Sequence, residues 1–371
     1  MTTINVNTFE VNKSSLANSR YITTEMTTSL AENEVILQVD KFALTANNIS
    51  YGVTGESLGY WNFFPATQGW GRIPAMGYSE VIASACENIR VGERVWGFVP
   101  MASHVKIIAG NVTDTTFSDI SDNRLGLSPV YAAFERVAKN PFYKKDNEDF
   151  DLLVRGLFTT SWLIEDFMFD QDYFGAKQYL ITSASSKTSI ALAFAIKARG
   201  GKSAIGITSN SNRKFVQGLG CYEQVVSYDE IAKLDNNISS VLVDMAGSQS
   251  TLVAIHTHFA EQLRYSCRVG ATHHDDLVTN ELSHKSALPG VEPIFFFAPT
   301  QLKKRINEWG TAKTMSKIFL SLHDYIEFCR TIMSVKHSTG EQAIQTIYQQ
   351  VLSGKADASI GQVISLNTLT T

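Results

Sequence analysis

Short apolar runs separated by polar, glycine-bearing turns fill the first hundred residues. Glu34 to Leu44 alternates in part, as a half-buried strand does, and Thr45 to Gly52 then reads as a loop or short helical turn. Further strands are expected at Tyr78–Ser84, in the turn-and-strand segment Ile89–Phe98, and at His104–Ile108, whereas residues 1 to about 30 read as an irregular start with one strand. No long helical pattern interrupts them, so this part reads as a β-rich module. From Asn111 to Phe150 the chain turns polar and aromatic, with a helical patch at Pro129–Lys139 and an acidic run, Asp146–Asp151, that marks a solvated boundary. A helix from Leu152 to about Phe169 follows.

The pattern then changes. An apolar run, Tyr179–Thr182, leads into a small polar turn, Ser183–Ser189, an Ala-rich helix from Ile190 that stops at Gly200, and a second apolar run, Ala204–Thr208. Strand, turn, helix and strand within about thirty residues make a βαβ unit. The alternation continues after Tyr228 with a buried strand at Ser240–Gly247, a helix at Ser250–Arg264, and strands at Tyr265–Val269 and Pro293–Pro299. Residues from Gln301 to Ser334 read as helical, Ala343–Leu352 as one more helix, and Ile360–Leu366 as a closing strand. The stretch Gln178–Tyr228 is therefore the nucleotide-binding half of a Rossmann fold, a doubly wound parallel sheet that takes a phosphate on a helix N-terminus.

The turn has no glycine fingerprint. It offers instead the hydroxyls of Ser185, Ser186 and Thr188 and the ammonium of Lys187 at the start of a helix, all suited to an anionic ligand. An NAD-preferring site places an acid about 20 residues past the turn. Here the second strand ends in Thr208-Ser209-Asn210, followed by Arg213 and Lys214, which favours a 2′-phosphate and hence NADP(H). Ligands of open α/β sheets lie at the carboxyl ends of strands. Ala246, Gly247, Gly270, Ala271 and Phe297 are therefore expected on the crevice of Ser185–Thr188, with Tyr228 closing the stretch. The missing glycines also fit a doubly wound domain that has lost its cofactor.

A chain of 371 residues is expected to form two domains. With 44% hydrophobic and 18% charged residues it reads as soluble and globular, and a net charge of −4 gives no reason to expect nucleic acid. No apolar run spans a membrane, and Met1–Asn5 has neither a basic start nor an apolar signal core, so a cytoplasmic protein is expected. Cys86, Cys221, Cys267 and Cys329 lie far apart, as reduced thiols rather than a disulfide framework. His256 and His258, two apart on a helix, do not share a face. His273, His274, Asp275, Asp276 and His284 have no defined metal spacing, so no metal site is expected.

The order of elements resembles the medium-chain dehydrogenase/reductase superfamily, and within it the zinc-free quinone oxidoreductase and enoyl reductase branch. Glu34–Leu44 with Asn47–Gly55 is similar to that family's first catalytic-domain strand and substrate loop. Val91–Phe98 resembles its glycine turn and following strand, and Gly156–Thr160 its segment before the Rossmann strand. Asp244–Gly247 and Arg268–Gly270 resemble its strand ends, and Ser353-Gly354-Lys355 with the closing strand its C-terminal return. The segment Arg155–Ser189 and the run Phe296–Pro299 resemble an uncharacterised branch. Where the family has Gly-Gly-Val-Gly, this chain has Ser186–Ser189, and the family's zinc ligands are absent.

The resemblance implies an α/β protein. Its Rossmann domain would span 151–325, and its β-rich, partly open GroES-like catalytic domain 1–150 with a return at 326–371. It implies NADPH-dependent reduction of an activated C=C bond or a quinone, a small-molecule substrate, and a homodimer. Tyr51 matches a tyrosine of the family's substrate loop and would donate a proton. Asn47 and Asn48 beside it would hold a carbonyl or carboxamide, and Thr160 would contact the nicotinamide. Ser185–Thr188 would take the pyrophosphate, and Ser209, Asn210 and Arg213 the 2′-phosphate side. The alternative from another class is a non-catalytic binding or scaffold protein that kept the fold and lost the cofactor.

Overall fold

The computed structural model describes residues 2–127, 129–269 and 288–367. The chain forms two compact units: one runs to Leu153 and resumes at Ser334, and the other is Val154–Met333.

The first unit opens with an antiparallel hairpin, β1 (Thr3–Asn12) and β2 (Ser15–Thr27). The sequence pattern gave one strand in this region. β2 is mostly polar and shows little alternation, and it is held by its ladder to β1, whose residues Val6–Val11 are all buried. Then follow β3 (Glu34–Leu44), α1 (Ala46–Val53), β4 (Trp70–Gly71), β5 (Pro74–Ser84), β6 (Arg94–Pro100), β7 (His104–Gly110), β8 (Thr116–Asp119) and β9 (Ala133–Arg136). The helical patch read at Pro129–Lys139 is instead the strand β9 between two single 3-10 turns. Phe134 is buried there, and the backbone pairs with β6 and β8. Tertiary pairing overrides local helix preference in this segment.

The sheet order β3-β5-β6-β9-β8-β7 is closed by a further ladder between β7 and β3, from Glu34 opposite Ile108 to Gln38 opposite His104. The module is thus a closed barrel rather than the partly open one expected from the sequence. One long strand makes this geometry possible: β3 gives one edge to β5 and splits the other between β7 and the C-terminal return. Glycine has a specific use in the loop after α1. A Cβ on Gly55 would stand 2.1 Å from the buried Trp61 ring, and one on Gly71 2.5 Å from it. Both positions must stay bare for the indole to pack.

The helix α2 (Glu148–Asp170) leads into the second unit. There β10 (Gln178–Ile181), α3 (Lys187–Arg199), β11 (Ser203–Thr208), α4 (Arg213–Gly218), β12 (Gln224–Ser227), β13 (Ser240–Asp244), α5 (Gln249–Phe259), β14 (Leu263–Arg268) and β15 (Pro293–Phe295) alternate. The sheet order is β12-β11-β10-β13-β14-β15, and every pairing is parallel. Its central strands are buried on both faces, as their unbroken apolar runs require. β10 has β11 on one side and β13 on the other, so the winding reverses at its carboxyl end. The helical stretch after residue 300 is two helices, α6 (Ala298–Trp309) and α7 (Thr311–Ile332), broken at Gly310, whose φ of 82° no regular helix accepts. The chain then returns to the first unit with β16 (Ser334–Thr339), α8 (Glu341–Leu352) and β17 (Ile360–Ser365), a parallel pair joined by its helix.

Candidate functional site

The carboxyl edge of the parallel sheet is built around the turn after β10. Ser183 adopts the left-handed conformation, with φ of 50°. Its carbonyl accepts from the Ser186 N–H at 2.7 Å, its own N–H donates to Tyr228 Oη at 3.1 Å, and the Ala184 N–H donates to the Ile207 carbonyl at 3.0 Å. A serine thus holds the bend where glycine is usual, and three hydrogen bonds offset a strain of roughly 1–2 kcal/mol. Ser186 caps α3, accepting from the Ser189 N–H at 3.2 Å. Lys187 is the first residue of that helix. Ser161 Oγ donates to the Thr188 carbonyl at 2.7 Å and Tyr325 Oη to the Lys187 carbonyl at 3.2 Å, so α2 and α7 fix where α3 begins.

Beside the turn, Thr182 Oγ1 donates to Asp244 Oδ1 at 2.6 Å and accepts from the Met245 and Ala246 N–H groups at 2.9 and 3.1 Å. Asp244 Oδ1 also accepts from Ala246 and Gly247 at 3.1 and 3.3 Å. Ala246 and Gly247 therefore aim their donors at this knot, and Ala246 is fully buried. Burial pushes the Asp244 carboxyl up, against the pull of Thr182 and the two N–H groups. Asp244 Oδ2 and Thr208 Oγ1 are buried with no hydrogen-bond partner among the described residues. These two orphaned atoms end the strands on either side of β10, at the edge where the turn opens. Buried polar atoms of this kind are paired in nearly all folded proteins, so this edge fits a polar ligand. Neither Asp244 nor Thr208 was singled out from the sequence, where they read as plain strand ends.

The remaining expected contacts divide. Ser185 Oγ accepts from Asn212 Nδ2 at 3.0 Å, and Ser209 and Ser211 hydroxyls meet at 2.9 Å. Asn210 Nδ2 donates to Asp229 at 3.2 Å, and Arg213 Nη1 lies 2.6 Å from Glu230 Oε2. The acid missing after β11 in the sequence is thus present in space, supplied by the 3-10 segment Tyr228–Lys233. Arg213, Tyr222, Glu230 and Lys233 line a cleft of about 420 Å³. Thr160 Oγ1 donates back to the Gly156 carbonyl at 3.1 Å, and Phe297, before α6, is 58% exposed. Gly270, Ala271, His273, His274, Asp275, Asp276 and His284 lie outside the described residues. His256 bonds Pro289 O and Ser266 Oγ, and His258 bonds Leu234 O. All four cysteines are buried free thiols.

In the β-rich unit, α1 presents the second group of candidates. Asn48 and Thr45 form a capping box, and Asn48 Nδ2 donates to the Pro74 carbonyl at 2.9 Å. The Asn48 amide is thereby committed to holding the helix, and the residue is buried. Asn47 and Tyr51, one turn apart, share a face: Asn47 Nδ2 donates to Tyr51 Oη at 2.7 Å. The Tyr51 ring lies 4.5 Å from Tyr60, 5.4 Å from Phe98 and 6.3 Å from Tyr131, centre to centre. Burial first, then the Tyr131 and Tyr60 phenols, push the Tyr51 phenol well above its ordinary value, with Asn47 pulling the other way. At neutral pH it is a held proton with its oxygen already hydrogen-bonded. Tyr131, read from the sequence as part of a helical patch, comes beside Tyr51 because that segment forms a short 3-10 turn and a strand instead.

The family model described as Protein of unknown function (DUF2855) matches residues 42–357. No curated protein matches the chain. Among solved structures, CurA from Vibrio vulnificus in complex with NADPH is similar at a TM-score of 0.63 and 12% identity, over 98% of this chain and 99% of that one. CurK enoyl reductase is similar at 0.55 and 14%, over 98% and 99%, and the quinone oxidoreductase from Coxiella burnetii at 0.51 and 14%, over 98% and 100%. At these identities the likeness is one of fold: a Rossmann unit with a GroES-like β-rich unit. No helix among the described residues is long and apolar enough to cross a membrane.

Proposed function

The chain belongs to the DUF2855 family, and from that premise we propose that it is an NADP(H)-dependent oxidoreductase that reduces an activated C=C bond or a quinone. The observation that carries this reading is the Asn47–Tyr51 pair. A phenol that stays protonated, oriented by an amide donor at 2.7 Å, is suited to protonating the enolate or hydroquinone-anion oxygen of a reduced substrate. The similar structures support the class: one holds NADPH, one is an enoyl reductase and one a quinone oxidoreductase. NADPH, when bound, supplies the hydride. The chain's own part is to seat the phosphates with Ser185–Thr188 at the start of α3, to meet the 2′-phosphate with Ser209 and Arg213, and to return a proton from Tyr51. We further infer a cytoplasmic homodimer acting on a small molecule.

A scaffold reading has its own support: Ser183 in place of glycine, the Ser186 hydroxyl spent on its helix cap, and Arg213 already paired. Calorimetric titration with NADPH and NADH, followed by a screen of enones and quinones with Tyr51→Phe as control, separates the two. NADPH-selective binding, with turnover that Tyr51→Phe lowers about a hundredfold, is the expected result. Folded protein that binds neither nucleotide would leave the scaffold reading in front.

A further inference from the structure

Thr182, Asp244 and Arg268 form a row across the carboxyl edge of the parallel sheet. Asp244 ends β13 and stands in register with Arg268, which ends β14, while Thr182, just past β10, bonds Asp244 at 2.6 Å. In-register neighbours share one face of a sheet, on strands about 5 Å apart. Opposite charges in such positions ordinarily pair. Here Asp244 Oδ1 is taken by Thr182 and by main-chain donors, and Asp244 Oδ2 is buried with no hydrogen-bond partner among the described residues. No ion pair joins either oxygen to Arg268.

The Arg268 guanidinium is thereby left open. Among the described residues the other half-buried arginines, Arg20, Arg72, Arg94, Arg136 and Arg213, each meet a carboxylate. Arg268 is half-buried as well, yet it has no ion pair and no side-chain hydrogen bond with any described residue. A cation drawn partly out of water without a partner is unfavourable, and an arriving anion offsets that penalty. Its backbone is fixed on both sides. The Val269 N–H donates to the Asp244 carbonyl at 3.0 Å, and the Phe296 N–H donates to the Arg268 carbonyl at 2.9 Å. The open fork is therefore carried on a rigid strand end, at the edge where ligands of such sheets lie.

A dinucleotide lies across the point where the winding reverses, with one mononucleotide over each half of the sheet. β10, β11 and β12 form the half beside Ser185–Thr188 and Arg213, and β13, β14 and β15 form the other. Arg268 belongs to the second half. We propose that Arg268 binds the nicotinamide-side phosphate of the dinucleotide, sharing the diphosphate with Ser185–Thr188. This rests on the NADP(H) reading and adds to it the cation that answers the missing glycines. Glycine in the first turn lets the backbone come close to a diphosphate. A guanidinium reaches a phosphate through a long side chain instead and holds it with two parallel N–H donors. Arg213, by contrast, must first leave Glu230, whereas Arg268 has no such partner to give up.

The test is calorimetric titration of full-length protein with NADPH, NADH and adenosine 2′,5′-bisphosphate. The bisphosphate carries the adenosine side alone, so it also reports that the first half of the site is folded in each variant. Arg268→Gln should weaken NADPH and NADH alike, by about tenfold or more, and leave the bisphosphate unchanged. Arg268→Lys, which keeps the charge and loses the fork, should lose less than Arg268→Gln for both dinucleotides. This pattern differs from that of a residue meeting the 2′-phosphate, which would spare NADH. Unchanged dinucleotide binding in Arg268→Gln overturns the assignment, as does an equal loss for the bisphosphate or a loss confined to NADPH. Wild-type protein that binds none of the three refutes the NADP(H) reading and the role of Arg268 with it. Wild-type binding that Arg268→Gln leaves intact refutes the role of Arg268 alone.

Discussion

In the proposed nucleotide site Arg213 would be the cation that meets the 2′-phosphate, and Glu230 already holds it. The two approach to 2.6 Å with side chains 36% and 21% exposed, and Lys233 sits 3.0 Å from the same carboxylate. A 2′-phosphate must draw the guanidinium away from Glu230. Pairs this exposed are weak, worth at most a factor of about five in an equilibrium constant. Glu230→Gln should therefore tighten NADPH about two- to fivefold and leave NADH, which has no 2′-phosphate, unchanged. Glutamine is the right probe because Glu230 also accepts the Ser227 N–H at 3.3 Å in a capping box, and an amide oxygen keeps that bond. Calorimetry reads both nucleotides, and the gain should shrink in salt as screening shortens to about 3 Å at 1 M. Arg213→Ala should weaken NADPH about tenfold or more while sparing NADH. Because Glu230 acts through Arg213, the double variant should match Arg213→Ala. Equal effects on the two nucleotides, or a gain from Glu230→Gln that survives without Arg213, would refute the reasoning.

Three further outcomes are expected. Glu148 is buried against Arg94, Lys41 and Tyr143, and these partners outweigh its burial and hold its carboxyl at about 2, against an ordinary 4.5. A depressed carboxyl stabilises the fold above its unfolded pKa, so roughly 3 kcal/mol at most should be present above pH 4.5 and lost as pH falls toward 2. Acid unfolding of Glu148→Gln should lack that slope, and an identical pH profile would count against the assignment. Ser183→Gly, which keeps the three main-chain hydrogen bonds, should raise Tm by relief of left-handed strain worth up to about 1 kcal/mol after the entropy cost of glycine, and a lower Tm would refute strain at this position. Gly361→Ala would place a Cβ 2.3 Å from Leu153 Cδ1, in a site where Leu153 is buried, and should cost about 1–3 kcal/mol by denaturant titration.

The βαβ core was legible because its signals are local. Tyr179–Thr182, the Ala-rich helix and Ala204–Thr208 carry their periods in contiguous residues, and Gly200 marks the helix stop at φ 79°. The Asn47–Tyr51 pair was half legible: both residues stood out, and their spacing of four puts them on one helical face. Asn48 read the same way, yet its amide is spent on the cap and on Pro74. The strand β9 and the second strand of the N-terminal hairpin were not legible. Both are short of alternating apolar residues and exist by virtue of partners that sequence order does not reveal.

The same distinction governs the proposed nucleotide site. The acid that tells a ribose from its 2′-phosphate was sought in the residues just after β11, and none is there. In the fold, the residues after β12 come alongside, because parallel neighbours end at the same edge of the sheet. Asp229 and Glu230 then stand against Asn210 and Arg213. A charge count along the chain sees cations alone, whereas the folded edge holds cations already answered by carboxylates. On the proposed reading, nucleotide preference at this edge would rest on a competition, phosphate against Glu230 for one guanidinium, in which the weak exposed pair is the side that can yield.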